Sequence, residues 1–185
     1  MNIGILISGK GSNMLNIAKA CDNGTLNARV KIVISNKPSE GIYKAQKIGI
    51  PTKIIETKNF NSKLKFENEI TNILKINKVS LVCLAGFMKI LSKKFVSQWE
   101  KRLINIHPSL LPKFKGLNTF EKVLQKKEKK TGCTVHFVNE KLDAGKIILK
   151  KSFYINSKDN ISSLKKKTQA LEYIAYSEAI IKAIK

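Results

Sequence analysis

Apolar positions along the chain fall into short, separated runs. Ile3–Ile7 is rich in Ile and Leu and is followed within two residues by glycine, the pattern of a strand buried on both faces of a parallel sheet. A helix is expected from Ser12 or Asn13, either of which could cap it, through Leu15, Ile17, Ala18 and Ala20. Val30–Asn36 reads as a second strand. "EGIYKAQKIG" reads as a helix closed by Gly49, and Pro51 opens "TKIIET" as a third strand. Between Asn61 and Asn77, Leu64, Phe66, Ile70, Ile73 and Leu74 follow helical spacing. Val79–Gly86 is a near-continuous apolar run and is expected to be the central strand.

Strand and helix thus alternate, which predicts an α/β fold with a doubly wound, mostly parallel sheet. Ligands of such sheets bind beyond the carboxyl ends of the strands. That rule singles out Gly9–Asn13, Gly86–Leu91 and the segment "INIHPSLLP". After Lys115 the pattern changes. A lysine-rich helix is expected over Thr119–Lys130, then hairpin-like strands in "GCTVHFV" and "KLDAGKIILKKSFYI", then a helix from about Asn160 to Ile184. No repeat and no Pro-, Gly- or Ser-rich linker interrupts the chain, so residues 1–185 are expected to form one domain.

Composition narrows the class. Hydrophobic residues make up 43% and charged residues 26%, as in globular proteins, so a real core is expected. No run approaches the roughly 20 apolar residues of a membrane helix. Met1-Asn2-Ile3 leads straight into a strand-like run rather than a signal peptide. Cys21, Cys83 and Cys133 are odd in number and far apart, which suits reduced thiols in cytoplasm. With two histidines and no CxxC pair, no metal site is expected. The net charge of +22 points toward polyanions, but of the 35 basic residues only Arg29 and Arg102 are arginine. Readers of nucleic acid favour arginine and interleaved aromatics. A solvated lysine coat that attracts phosphorylated metabolites is the expectation, and a nucleic-acid partner is not; a polyanion-binding protein is the non-enzymatic alternative.

"LISGKGSN", residues 6–13, suggests a phosphate cradle of neither standard kind. Read from Gly4 it lacks the Mg²⁺-holding Ser or Thr of a P-loop, because Gly11 stands there. Read from Gly9 it lacks the third glycine of a dinucleotide loop, because Met14 stands there. In "NIHPSLLP", Asn105 and His107 flank Ile106 and point to one side of an extended segment stiffened by Pro108 and Pro112. By itself that pair also fits a surface loop with a structural histidine. Asp143 in "KLDAGKI" also fits a simple turn, and His136 in "CTVHF" a buried strand histidine. No nucleophile elbow or metal cluster is present. An amide, an imidazole, a carboxylate and a phosphate loop suit transfer to an amine through an oxyanion, without a covalent enzyme intermediate.

"ISGKGSN", "LAGFMKIL", "NIHPSLLPKFKG", "GCTVHFV" and "LDAGKIIL", in this order and spacing, resemble the phosphoribosylglycinamide formyltransferase family over essentially the whole chain, to about Tyr176. The resemblance implies the formyltransferase fold and transfer of a formyl group from 10-formyltetrahydrofolate to the amine of 5-phosphoribosylglycinamide in purine biosynthesis. It implies a catalytic trio of Asn105, His107 and Asp143. Asn105 and protonated His107 would steady the oxyanion while Asp143 holds the imidazolium. It implies Gly11, Ser12 and Asn13 as the phosphate cradle, with Glu172 near the substrate amine. Lys63, Met88, Lys89, Ile90 and Leu91, together with Asn105, would contact the folate. Residues to about 100 would serve the phosphate, and residues from about 101 the folate and the chemistry. A monomer or homodimer acting on small molecules is implied, with no metal.

Lys115, Lys146, Tyr173 and Ser177 depart from the usual Pro, Pro, His and Pro of the family, around the folate pocket rather than in the trio. Methionyl-tRNA formyltransferase and formyltetrahydrofolate hydrolase have related sites. The first normally adds a C-terminal tRNA-binding domain, for which this chain is not expected to have room, and the second an N-terminal regulatory domain, whereas here the first strand is expected from Ile3.

Overall fold

Strand β1 (Asn2–Ile7) is buried from Ile3 to Ile7, as its unbroken apolar run requires. It pairs in parallel with β2 (Arg29–Ser35) on one side and with β4 (Leu81–Leu84) on the other, and β2 pairs in parallel with β3 (Thr52–Ile54). In this computed structural model, which describes residues 1–184, the chain forms two compact units that divide between Ile104 and Asn105. Strand order in the first is β3-β2-β1-β4. The crossovers are α1 (Ser12–Asp22), α2 (Glu40–Lys47) and α3 (Lys63–Ile76). Strand β5 (Leu103–His107) carries the chain into the second unit, where α5 (Thr119–Gln125) precedes β6 (Lys130–Phe137) and β7 (Ile147–Tyr154). These two strands pair antiparallel, and α6 (Ile161–Ile184) packs on both. The architecture is the mostly parallel α/β sheet with a C-terminal hairpin that the periodicity predicts.

Three expectations change. Neither Ser12 nor Asn13 caps α1: Gly11 does, at φ 70, with no side-chain cap, and both candidate caps lie inside the helix. By contrast, Ser39, Ser62 and Ser92 cap α2, α3 and α4 (Lys93–Gln98) with their hydroxyls. The lysine-rich helix ends at Gln125 rather than Lys130. Lys127 turns at φ 48, and Lys130 already pairs with Tyr154 of β7. Strand pairing there outweighs helix propensity. The run Val79–Gly86 contributes only Leu81–Leu84 to the central strand, because Gly86 leaves it at φ 77.

Candidate active site

Strand β5 delivers the first two polar groups. Alternation along it buries Ile106 on one face and turns Asn105 and His107 to the other, with His107 only 5% exposed. Beyond Pro108 the chain folds back on itself. Thr134 of β6 donates through Oγ1 to the Ser109 carbonyl at 2.7 Å and accepts from Leu111 N at 3.0 Å. Ser109 Oγ in turn donates to the Lys113 carbonyl at 2.7 Å. This return places the Phe114 carbonyl 2.9 Å from His107 Nε2, with Phe114 itself at φ 56.

Asp143 reaches the same place from the β6–β7 connection. Its φ of 47 is an uncommon backbone state that aspartate tolerates better than most residues. Gly145 lets the connection close, because a Cβ there would lie 1.7 Å from the Phe137 carbonyl oxygen. Phe137 N then donates to the Lys146 carbonyl at 2.9 Å. Lys146 thus serves the loop through a carbonyl that the family's usual proline also has. Asp143 Oδ2 lies 3.3 Å from His107 Nδ1 and accepts from Gly116 N at 2.9 Å.

A fourth side chain joins the trio. His136 is 2% exposed on β6, where the β6–β7 register shifts between Val135 and His136. Bulges of this kind re-aim side chains beside sites. His136 Nδ1 donates to the Phe137 carbonyl at 2.9 Å, which leaves the Nε2 lone pair to accept from Asn105 Nδ2 at 3.4 Å. Its Nε2 is 3.9 Å from Asp143 Oδ1. Asn105 with His136, and His107 with Asp143, thus form two neighbouring polar pairs.

The two imidazoles face opposite demands. Both nitrogens of His107 face acceptors, the Phe114 carbonyl and the Asp143 carboxylate. Burial pushes the His136 pKa below the usual 6.5, with the nearby Asp143 charge opposing it. His136 is thus the neutral acceptor that orients the Asn105 amide. Because its folded pKa is depressed, the unfolded chain binds the extra proton first. The stabilisation is full above 6.5 and is lost as pH falls from 6.5 through the folded pKa. The stability difference between the native protein and a His136→Gln variant should therefore shrink in acid, by urea unfolding at pH 5 and pH 7.5. An unchanged difference would mean that His136 titrates normally.

In the first unit, the Gly9–Asn13 loop packs against α2: Gly41 N donates to the Gly9 carbonyl at 3.0 Å. A Cβ on Gly11 would stand 2.7 Å from Gly41 Cα, so the loop backbone is held close and bare. Lys63 opens α3, and its Nζ lies 3.9 Å from Glu67 Oε1. Met88 and Ile90 are 67% and 70% exposed, with Lys89 exposed between them and Leu91 half-buried. In the second unit, Glu172 stands on α6, where its charge helps raise the Cys133 thiol. Burial, the larger cause, pushes that thiol up to about 12, which removes it as a nucleophile at neutral pH.

A family model described as formyl transferase matches residues 1–180. The chain belongs to the formyl transferase family. Phosphoribosylglycinamide formyltransferase of Haemophilus influenzae is 40% identical over 94% of this chain and 82% of its own length. A trifunctional purine biosynthetic protein, adenosine-3, of Gallus gallus is 40% identical over 97% of this chain, which spans only 18% of that protein. The solved phosphoribosylglycinamide formyltransferase of Coxiella burnetii superposes with a TM-score of 0.93 at 41% identity, covering 99% of this chain and 85% of that one.

Within this formyl transferase, the residue that sequence reasoning left undecided is His136. Its alternation with Thr134 on one buried face of β6 was a readable signal, but the bulge that aims it was not. Among the described residues, no three His, Cys, Asp or Glu side chains are grouped to hold a metal, and no helix is long and apolar enough to cross a membrane.

Proposed function

We propose that this formyl transferase moves the formyl group of 10-formyltetrahydrofolate to the amine of 5-phosphoribosylglycinamide, releasing tetrahydrofolate, as a step of purine biosynthesis. The observation that carries the reading is the His107 imidazole held between Asp143 and the Phe114 carbonyl, beside Asn105. The substrate amine attacks the formyl carbon, and the carbonyl oxygen gains negative charge in a tetrahedral intermediate. The second amide hydrogen of Asn105 and the Nε2–H of His107 are the donors for that oxyanion. In the free protein the Phe114 carbonyl holds the same Nε2–H, so the developing oxyanion takes the donor over from a weaker, neutral acceptor. Asp143 orients the ring; as the intermediate collapses the formyl C–N10 bond breaks, the attacking nitrogen gives up a proton, N10 gains one, and tetrahydrofolate leaves.

The first unit is assigned the 5-phosphate and, together with Asn105 of the second, contacts to the folate. Amide groups of Gly11, Ser12 and Asn13 at the start of α1 receive the 5-phosphate, with the helix dipole favouring the anion. A sugar monophosphate needs no Mg²⁺ bridge, which accounts for Gly11 in place of the P-loop hydroxyl. Met88–Leu91 and Lys63 are assigned to the folate, and Glu172 to the neighbourhood of the substrate amine. We place the protein in the cytoplasm as a monomer or homodimer that needs no metal. Purified protein should release tetrahydrofolate from 10-formyltetrahydrofolate only when 5-phosphoribosylglycinamide is present. Release without the ribonucleotide would point to hydrolysis, and no release with both would remove the reading.

A further inference from the structure

The segment Gly86–Ser92 exposes apolar side chains yet is tied down at both ends by buried polar ones. At its start, Ser8 is 3% exposed; its Oγ accepts from Met88 N at 2.8 Å and donates to Asn36 Oδ1 at 2.5 Å. Ser8 N also donates to the Gly86 carbonyl at 3.1 Å. At its other end stands Glu67 of α3, only 2% exposed. Glu67 Oε1 accepts from Ser92 N at 2.8 Å, and Oε2 accepts a short hydrogen bond from Ser92 Oγ. That same Ser92 oxygen caps α4 by accepting from Phe95 N at 3.2 Å.

A buried carboxylate is an expensive choice for a purely structural contact. Lys63, half exposed, stands 3.9 Å from it, and an apolar residue of similar volume would commonly be no less stable. What the carboxylate achieves is geometric. Two acceptors on one rigid group take both hydrogen-bond donors of Ser92, and Lys63 is drawn to the same carboxylate. Between the anchors, Met88 and Ile90 stay in solvent, held in place instead of collapsing inward. A braced loop with apolar side chains outward is a preorganised platform for a flat, mostly apolar ring.

We infer that Glu67 is a positioning residue for folate recognition: through Ser92 it holds the Met88–Leu91 strap, and through Lys63 the first turn of α3, in the form that receives the heterocycle. The inference rests on the proposed folate role of the strap. It predicts a split in the kinetics. Glu67→Gln replaces one of the two acceptors with a donor group, and Ser92→Ala removes the hydroxyl. Each should raise KM for 10-formyltetrahydrofolate at least fivefold, while kcat and KM for the ribonucleotide stay within about twofold. The double variant should be no worse than the worse single one, since both break one contact.

Two results would overturn it: a folate KM within twofold of the native value, or a parallel fall of all three constants with Tm, which is what a merely structural role gives. Hydrogen exchange on the ligand-free protein supplies a readout independent of activity. Glu67→Gln should speed exchange of Ser92 N–H at least tenfold, with the β1 and β4 amides unchanged. If the native protein transfers no formyl group but this exchange responds, the brace stands and the folate reading fails. If transfer is normal and the exchange does not respond, the brace is refuted.

Discussion

Alanine at position 107 is expected to cut formyl transfer by about 10²–10⁴-fold with the fold intact, equivalent to about 3–5 kcal/mol of transition-state stabilisation. The loss belongs to kcat rather than to KM, because the proton donor acts on charge that develops only during attack. Asp143→Ala should fall in the same range. Without the carboxylate, His107 loses the partner at Nδ1 that fixes the orientation of its ring. The double variant should lose little beyond either single one, since the pair works as a unit. Steady-state rates of tetrahydrofolate release, with circular dichroism as the control for folding, decide this. Near-native turnover in either single variant would remove both roles, and full additivity would separate them.

Gly145→Ala is expected to damage activity by about 10²-fold without touching a reacting group. The added methyl would sit 1.7 Å from the Phe137 carbonyl oxygen, so the backbone of the connection must shift. Asp143 lies two residues away in a left-handed conformation, and its Oδ2 serves both His107 and Gly116. A displacement of roughly 1 Å at such a group costs about two orders of magnitude in rate. KM for the ribonucleotide, assigned to the first unit, should hold within a few-fold. A kcat/KM within threefold of native would show that the loop absorbs the methyl elsewhere and that Asp143 keeps its place.

Different physical scales made different parts of this molecule readable. Local pattern identified the buried strands of the first unit: Ile3–Ile7 and Val30–Asn36 are mostly apolar runs of strand length, and the sheet holds Ile3–Ile7 and Val30–Ser35 of them. Asn105 and His107 were recognisable as a pair because strand alternation is a property of the backbone alone. The helix α1 starts at Ser12 as expected, but its cap was misread because propensity favours a Ser or Asn cap. The loop instead needed a residue whose backbone could pass within van der Waals reach of Gly41, and only the folded α2 imposes that demand. The early end of α5 has a similar origin, since the partner that draws Lys130 into a strand, Tyr154, is distant in sequence.

The chain's order of residues thus determined the fold class, the glycine-rich loop after β1 and the identity of the polar groups, because periodicity and turn chemistry act between near neighbours. Whether His136 accepts from Asn105, whether Asp143 faces His107, and whether Glu67 grips Ser92 were decided only in three dimensions. Each depends on a bulge, a loop return or a helix packing whose free energy comes from contacts between distant segments, and no local pattern encodes that sum.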